Sequence, residues 1–145
     1  MLMANVLIVY DSLRGGTKRI ADLAAQMLTE SGHQVTVVKP AKVTVDDLEA
    51  ADFLIFGGPT YHKDLIGPMK TFLFKVADAK LEGKPGAAFA SFGWSGESLG
   101  ILEDTMKNLF RMNLVAEGLK LKQTPVMAKV KAAVEPFVKQ IEAAL

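Results

Sequence analysis

The sequence of 145 residues contains no cysteine. That absence excludes disulfides, thiolate-ligated zinc or iron–sulfur centres, and thiol catalysis. Histidine is nearly missing too: the only two, His33 and His62, offer no ligand cluster for a metal centre. Charge of one sign is also lacking, since 17 basic and 16 acidic side chains leave a formal net charge of +1. Such a balance does not provide the basic excess used to bind nucleic acid or an anionic membrane surface. No apolar run approaches the length of a membrane span. The opening residues, Met1 to Asn5, lack the charged flank and separate apolar core of a signal peptide, so a cytoplasmic location is expected. Internal repeats, low-complexity tracts and linkers are absent as well, and one domain spanning 1–145 is expected. What is plentiful is apolar side chain, at 50% of the residues. A chain of this size and composition can bury roughly two-thirds of its unfolded surface.

The organising stretch is Val6 to Thr17, VLIVYDSLRGGT. An apolar strand (Val6, Leu7, Ile8, Val9) breaks into a turn of small and hydroxylated residues. A helix then begins, with Ile20, Leu23, Ala24, Met27 and Leu28 at helical spacing on one face. The first amides of a helix have no partner within it, and its dipole favours an anion there. Ser12 and Thr17 can add hydroxyl donors, and Gly15 and Gly16 allow the backbone to curl around a phosphate. Taken alone, the same turn serves equally well as an ordinary reversal between strand and helix.

Along the rest of the chain, β and α patterns alternate five times. Ser31-Gly32 stops the first helix, and His33 to Val38 alternates as an edge strand does. Thr44 should cap a short acidic helix over 45–51. Phe53 to Phe56 is a continuously apolar third strand, followed by an irregular turn over 57–64. Gly67-Pro68 opens a helix, Ala87 to Ala90 is a fourth strand, and 91–97 forms another turn. The next helix should bury Leu99, Leu102, Met106, Leu109 and Phe110. Leu114 to Lys122 is a fifth strand interrupted near Gly118. Thr124-Pro125 should cap the terminal helix, whose inner face carries Val130, Val134, Phe137, Val138 and Ile141.

Strands apolar on both faces belong inside a sheet and alternating ones at its edges. With right-handed crossovers this gives a parallel five-stranded α/β/α sandwich of order 2-1-3-4-5. Ligands of such sheets bind where the order reverses, outside the carboxyl ends of the strands. The turns at 11–17, 58–64 and 91–97 should meet there. Two of them carry an aromatic, Tyr61 and Trp94, which suits a flat ligand with a phosphate at its far end. In this strand order, that description fits FMN.

The segments VLIVYDSLRGGT, FGGPTYHKDLIGP, AAFASFGWSGES and GLKLKQTP resemble the flavodoxin family. They are most similar to the flavodoxin-like domain of the A-type flavoproteins, the flavo-diiron oxygen and nitric oxide reductases. Together these segments span nearly the whole chain in the expected order. The resemblance implies FMN as cofactor, with Ser12, Leu13, Arg14, Gly15, Gly16 and Thr17 on the phosphate loop. It implies Pro59, Thr60, Tyr61 and His62 on one loop flanking the flavin. Ser91, Phe92, Gly93, Trp94, Ser95 and Gly96 fall on the other. By resemblance, Gly57-Gly58 and Gly93 would let a peptide reorient as the flavin is reduced. The implied function is electron transfer between a reductase and an acceptor protein, with a diiron protein among the candidate acceptors and a monomer or weak dimer as the working form. Gly16 stands where many members carry Asn or Ser.

Two other folds of similar pattern are excluded by residues. A receiver domain needs a carboxylate ending its third strand, and here that strand ends in Gly57-Gly58-Pro59. A P-loop hydrolase needs G-x-x-x-x-G-K-[ST], which SLRGGTKR does not supply. The alternatives that remain are a small FMN-dependent NAD(P)H:quinone-type reductase and a non-redox binding module on the same fold.

Overall fold

Val6 to Val9 has no polar side chain and therefore needs cover on both faces, which a helix-flanked sheet provides. In the computed structural model, which describes residues 3–13, 15–61 and 63–145, this segment is the centre of a parallel sheet. Strand β1 (Asn5–Tyr10) is followed by helix α1 (Gly16–Glu30), β2 (Gln34–Val38) and α2 (Val45–Ala50). Next come β3 (Phe53–Tyr61), β4 (Asp64–Leu65), α3 (Gly67–Val76) and β5 (Pro85–Phe92). Helix α4 (Glu97–Asp104), β6 (Asn113–Leu114), β7 (Leu119–Lys122) and α5 (Met127–Ala144) follow.

The sheet runs β2-β1-β3-β5-β6, with β7 also parallel to β5. β6 pairs with Pro85 and Gly86, and β7 with Phe89 to Phe92, so the two are halves of one edge strand interrupted over 115–118. Counted that way, the expected order 2-1-3-4-5 is present. The seventh segment is β4, which pairs antiparallel with the end of β3.

Side-chain alternation divides the core into two layers. Val6, Ile8, Phe53, Ile55 and Phe89 face α1 and α5, which contribute Ile20, Leu28, Val134, Phe137 and Ile141. Leu7, Val9, Leu54 and Phe56 face α2, α3 and α4, which contribute Leu48, Met69, Phe72 and Leu102, with Met106 just beyond α4. Each large side chain buried in these layers contributes about 1.5–3 kcal/mol. The Phe56 ring meets the edge of Phe72 at 5.0 Å between centroids, a favourable T-shaped pair. α2 has the expected Thr44 cap, extended to a full capping box: Thr44 Oγ1 accepts from Asp47 N while Asp47 Oδ2 accepts from Thr44 N.

Four local expectations are corrected. Residues 57–61 are strand, not turn: Gly57 pairs with Tyr10 on one side and Phe89 on the other. The reason is steric, because the Phe89 ring lies where a side chain at 57 would be, 2.1 Å from an ideal Cβ. The backbone at Gly57 is thus held in the sheet from both sides, whereas Gly58 pairs with Ala90 alone. β5 likewise continues through Ser91 and Phe92, leaving 93–96 as the turn. After α4 the chain widens into a five-residue π-type segment over Thr105–Leu109, where Phe110 N donates to Thr105 O at 3.1 Å. The wider turn rotates Leu109 into solvent while Leu102, Met106 and Phe110 stay buried. Finally, α5 begins at Met127 without a side-chain cap, and Thr124 Oγ1 instead accepts from Val126 N at 3.1 Å.

Candidate functional site

β1 leads to α1 on one face of the sheet and its neighbour β3 to α3 on the other, which opens a crevice at their carboxyl ends. The loop after β1 is shaped from within. Ser12 N donates to Asp11 Oδ1 at 2.8 Å, and Gly15 N donates to Ser12 Oγ at 2.9 Å. Gly15 sits at φ +84°, a conformation that costs other residues about 1–2 kcal/mol. α1 makes its first intrahelical bond from Arg19 N to Gly15 O, so the amides of Gly16, Thr17 and Lys18 precede it. Leu13 of the same loop is exposed. Arg14 and His62, both expected at the site, lie outside the described residues.

Hydroxyl bonds tie the three expected loops together. Thr17 Oγ1 and Ser91 Oγ lie 2.7 Å apart, each side chain only 1% exposed, joining the start of α1 to the end of β5. Thr60 Oγ1 and Ser98 Oγ lie 2.6 Å apart, and Ser98 N donates to Thr60 Oγ1 at 3.3 Å, joining the end of β3 to the start of α4. Asp11 N donates to Gly57 O at 3.3 Å across the switch point. The loops at 11–17, 58–64 and 91–97 therefore converge, as expected from the strand order.

A pocket of about 420 Å³ opens between the second and third loops, lined by Thr60, Lys63, Trp94 and Ser95. Trp94 is 95% exposed and Tyr61 is half-exposed. Trp94 thus does not pack onto its own loop, the bland expectation for such a residue. Lys63 forms the turn into β4 at φ +60°, a conformation unusual for a residue with a side chain. Pro59 is buried in β3, Phe92 is half-buried at the end of β5, and Gly93 has open space where a side chain would be. Gly96 precedes α4, and the stem of Lys120 crosses it, with Lys120 Cδ 2.3 Å from an ideal Cβ. A side chain at 96 would have to push this flexible stem aside, and the contact places Lys120 beside the loop that carries Trp94.

The surrounding charges are largely matched. Asp11 pairs with Lys39 at 3.2 Å, and the Lys39 ammonium lies 4.7 Å from the Tyr10 ring centroid. Asp64 pairs with Lys70, which, with the Leu65 amide, holds its carboxyl below the usual range. Ser98, Lys120 and Gln123 are neighbours of the site that periodicity did not expose. Gln123 follows β7 and abuts Gly16, where an ideal Cβ would stand 3.0 Å from Gln123 Cγ. The faint signal for it was its place at the carboxyl end of the edge strand, the same end of the sheet as the other loops.

A glycine-shaped turn at a helix amino terminus, facing an open aromatic pocket at a switch point, defines a doubly wound α/β protein built for a phosphorylated, ring-bearing cofactor. The chain belongs to the flavodoxin family: the family described as "Flavodoxin domain" matches residues 7–122. Members of this family bind FMN and transfer electrons. A type A flavoprotein of Rhodobacter capsulatus is 30% identical over 137 residues, covering 87% of this chain and 30% of that protein. A flavodoxin of Clostridium saccharobutylicum is 33% identical over 88 residues, 60% of this chain and 55% of that one. Oxidised flavodoxin 2 of Bacillus cereus superposes with a TM-score of 0.90 at 26% identity, over 98% of this chain and 100% of that structure. The chain spans about a third or less of the length of the first curated relatives it matches, two type A flavoproteins (30% and 26%) and a rubredoxin-oxygen oxidoreductase of Megalodesulfovibrio gigas (32%). Among the described residues, no helix is long and apolar enough to cross a membrane.

Proposed function

We propose that this chain binds FMN across the carboxyl ends of β1, β3 and β5 and shuttles electrons between a reductase and an acceptor protein. The residues fit that cofactor. The turn from Ser12 through Leu13, Arg14, Gly15, Gly16 and Thr17 would hold the phosphate by backbone amides and hydroxyls, at the positive end of α1. Pro59 to His62 and Ser91 to Gly96 would flank the ring, with Tyr61 and Trp94 as its covers. Bound FMN supplies the one- and two-electron chemistry, which the chain tunes through stacking, hydrogen bonds and charge. Lys63 in the pocket wall and Lys120 across Gly96 bring positive charge to both ring-flanking loops, which favours accumulation of negative charge on reduction.

The observation that carries this reading is the solvent-facing Trp94 over a pocket shared by two loops that are hydroxyl-linked to the phosphate turn and to α4. The proposal includes a single working domain over 1–145, a cytoplasmic location, and a monomer or weak dimer. It also includes an acceptor protein, a diiron protein among the candidates.

An anaerobic stepwise reduction of the FMN-loaded protein tests it. Two resolved one-electron steps, with electrons passing onward only when a partner protein is present, are expected. Direct two-electron reduction with steady NAD(P)H:quinone turnover would replace the carrier by a small reductase. No flavin uptake would leave a non-redox module. The only tryptophan in the chain, Trp94, gives an independent readout: its emission should resemble that of an indole in water and be quenched as FMN binds.

A further inference from the structure

We propose that the side-chain amide of Gln123 is a cofactor-binding residue that donates to the phosphate end of FMN. The inference rests on the FMN reading above and extends it to a residue outside the three loops. Its geometry is specific: an ideal Cβ on Gly16 would stand 3.0 Å from Gln123 Cγ, 3.5 Å from Gln123 Cδ and 3.4 Å from Ser91 Cβ. The carboxamide carbon thus lies against the first residue of α1, where backbone amides have no intrahelical partner. The absence of a side chain at 16 is what leaves it room.

The segment carrying Gln123 is held by bonds at Gln123 and at the next residue. Gln123 N donates to Phe92 O at 2.7 Å, and Arg19 Nη1 donates to Thr124 O at 3.1 Å. Gln123 is half-buried, and no described residue accepts a hydrogen bond from its side chain. A glutamine amide offers two N–H donors, and a partly desolvated pair beside amides of the same polarity is matched by an anion. The donor is neutral, so it strengthens phosphate binding without adding a cation. It also reaches only the phosphate end, because Gly16 and Ser91 are its neighbours, whereas Trp94 and Lys63 line the pocket at the other end.

The test is fluorescence titration of apoprotein with FMN and, separately, with riboflavin, which lacks the phosphate. Replacing Gln123→Ala should weaken FMN about tenfold, the loss of a hydrogen bond to a charged group, and leave riboflavin nearly unchanged. Gln123→Glu should weaken FMN further, since a carboxylate would face the phosphate. Gly16→Ala should displace the glutamine and lower FMN affinity similarly, and Gly16→Ala combined with Gln123→Ala should be no worse than either alone. Retained riboflavin binding reports that each variant is folded at the site. An FMN-to-riboflavin affinity ratio unchanged in both Gln123 variants overturns this inference alone. Failure of the wild-type chain to take up FMN overturns the cofactor reading with it.

Discussion

The hydroxyl pair between Thr17 and Ser91 allows the coupling of two site loops to be measured without any ligand. The two oxygens lie 2.7 Å apart and both side chains are 1% exposed, so water cannot replace either partner. Replacing Thr17→Val keeps the shape but removes one hydroxyl, leaving Ser91 Oγ buried with no partner. Such a loss costs about 1–3 kcal/mol, most of it the desolvation of the stranded group. Ser91→Ala strands Thr17 Oγ1 in the same way. In the double variant neither group is stranded, and its stability should be close to that of the less damaged single variant. Additivity would instead predict about 2–6 kcal/mol. The coupling energy should therefore be about as large as one single effect. Urea unfolding of the apoprotein measures it, provided the slope is the same for all four proteins. Each kcal/mol should also move the thermal midpoint by roughly 2–4 °C in a chain of this size. Strictly additive single effects would show that the hydroxyls do not bond in solution, and the described link between α1 and β5 would fall.

Glu103 should make stability pH-dependent. Burial, with Asp104 and Glu117 nearby, raises its pKa against the lowering bond from Gly118 N. A carboxyl whose folded pKa exceeds its unfolded value binds more protons when folded. Stability therefore falls as pH rises from the ordinary carboxylate range through the raised value. Glu103→Gln should be more stable than wild type above that window and flatten this part of the profile, read by chemical denaturation across pH. Lys84 Nζ donates to the carbonyls of Glu49, at 2.7 Å, and Ala51, closing the carboxyl end of α2. Lys84→Met should cost about 1 kcal/mol, below the full value of a charged hydrogen bond because the group is partly solvated. Lys63→Gly should relieve the φ +60° conformation and stabilise the apoprotein by up to about 1 kcal/mol, offset by the freer unfolded chain. A lower urea midpoint in that variant would refute strain at the turn.

Elements set by local pattern were legible in the sequence. The apolar runs of β1 and β3, the inner face of α5 and the Thr44 cap each depend on neighbours within a few residues, and periodicity reads those. The strand order followed, because two-sided burial separates central strands from edges. The converging loops followed in turn from that order. What could not be read depends on distant partners. Gly-Gly-Pro has weak strand preference, yet Gly57 is strand because β1 and β5 both pair with it and Phe89 fills the space above, and Gly58 follows through its pairing with β5. The π-type turn after α4 is likewise set by what Met106 and Phe110 must reach in the core. Gln123 and Lys120 enter the site only through contacts with glycines 107 and 24 positions away in sequence, Gly16 and Gly96. A family resemblance locates loops better than it locates such side chains, which approach them from another strand.

The contact between Gly57 and Phe89 also bears on how this chain can change over generations. No residue larger than glycine fits at 57 while the ring is present, since its nearest carbons stand 2.1 and 2.2 Å from the position a Cβ would take. A shortened side chain at 89, by contrast, leaves a void, which is damaging but survivable. The path to any other pair is therefore one-way: position 89 must shrink first, and only then can 57 acquire a side chain. Among descendants, bulk at 57 should occur only in lineages that have already lost the phenyl ring, and a glycine at 57 opposite a small residue at 89 would mark an intermediate along that path.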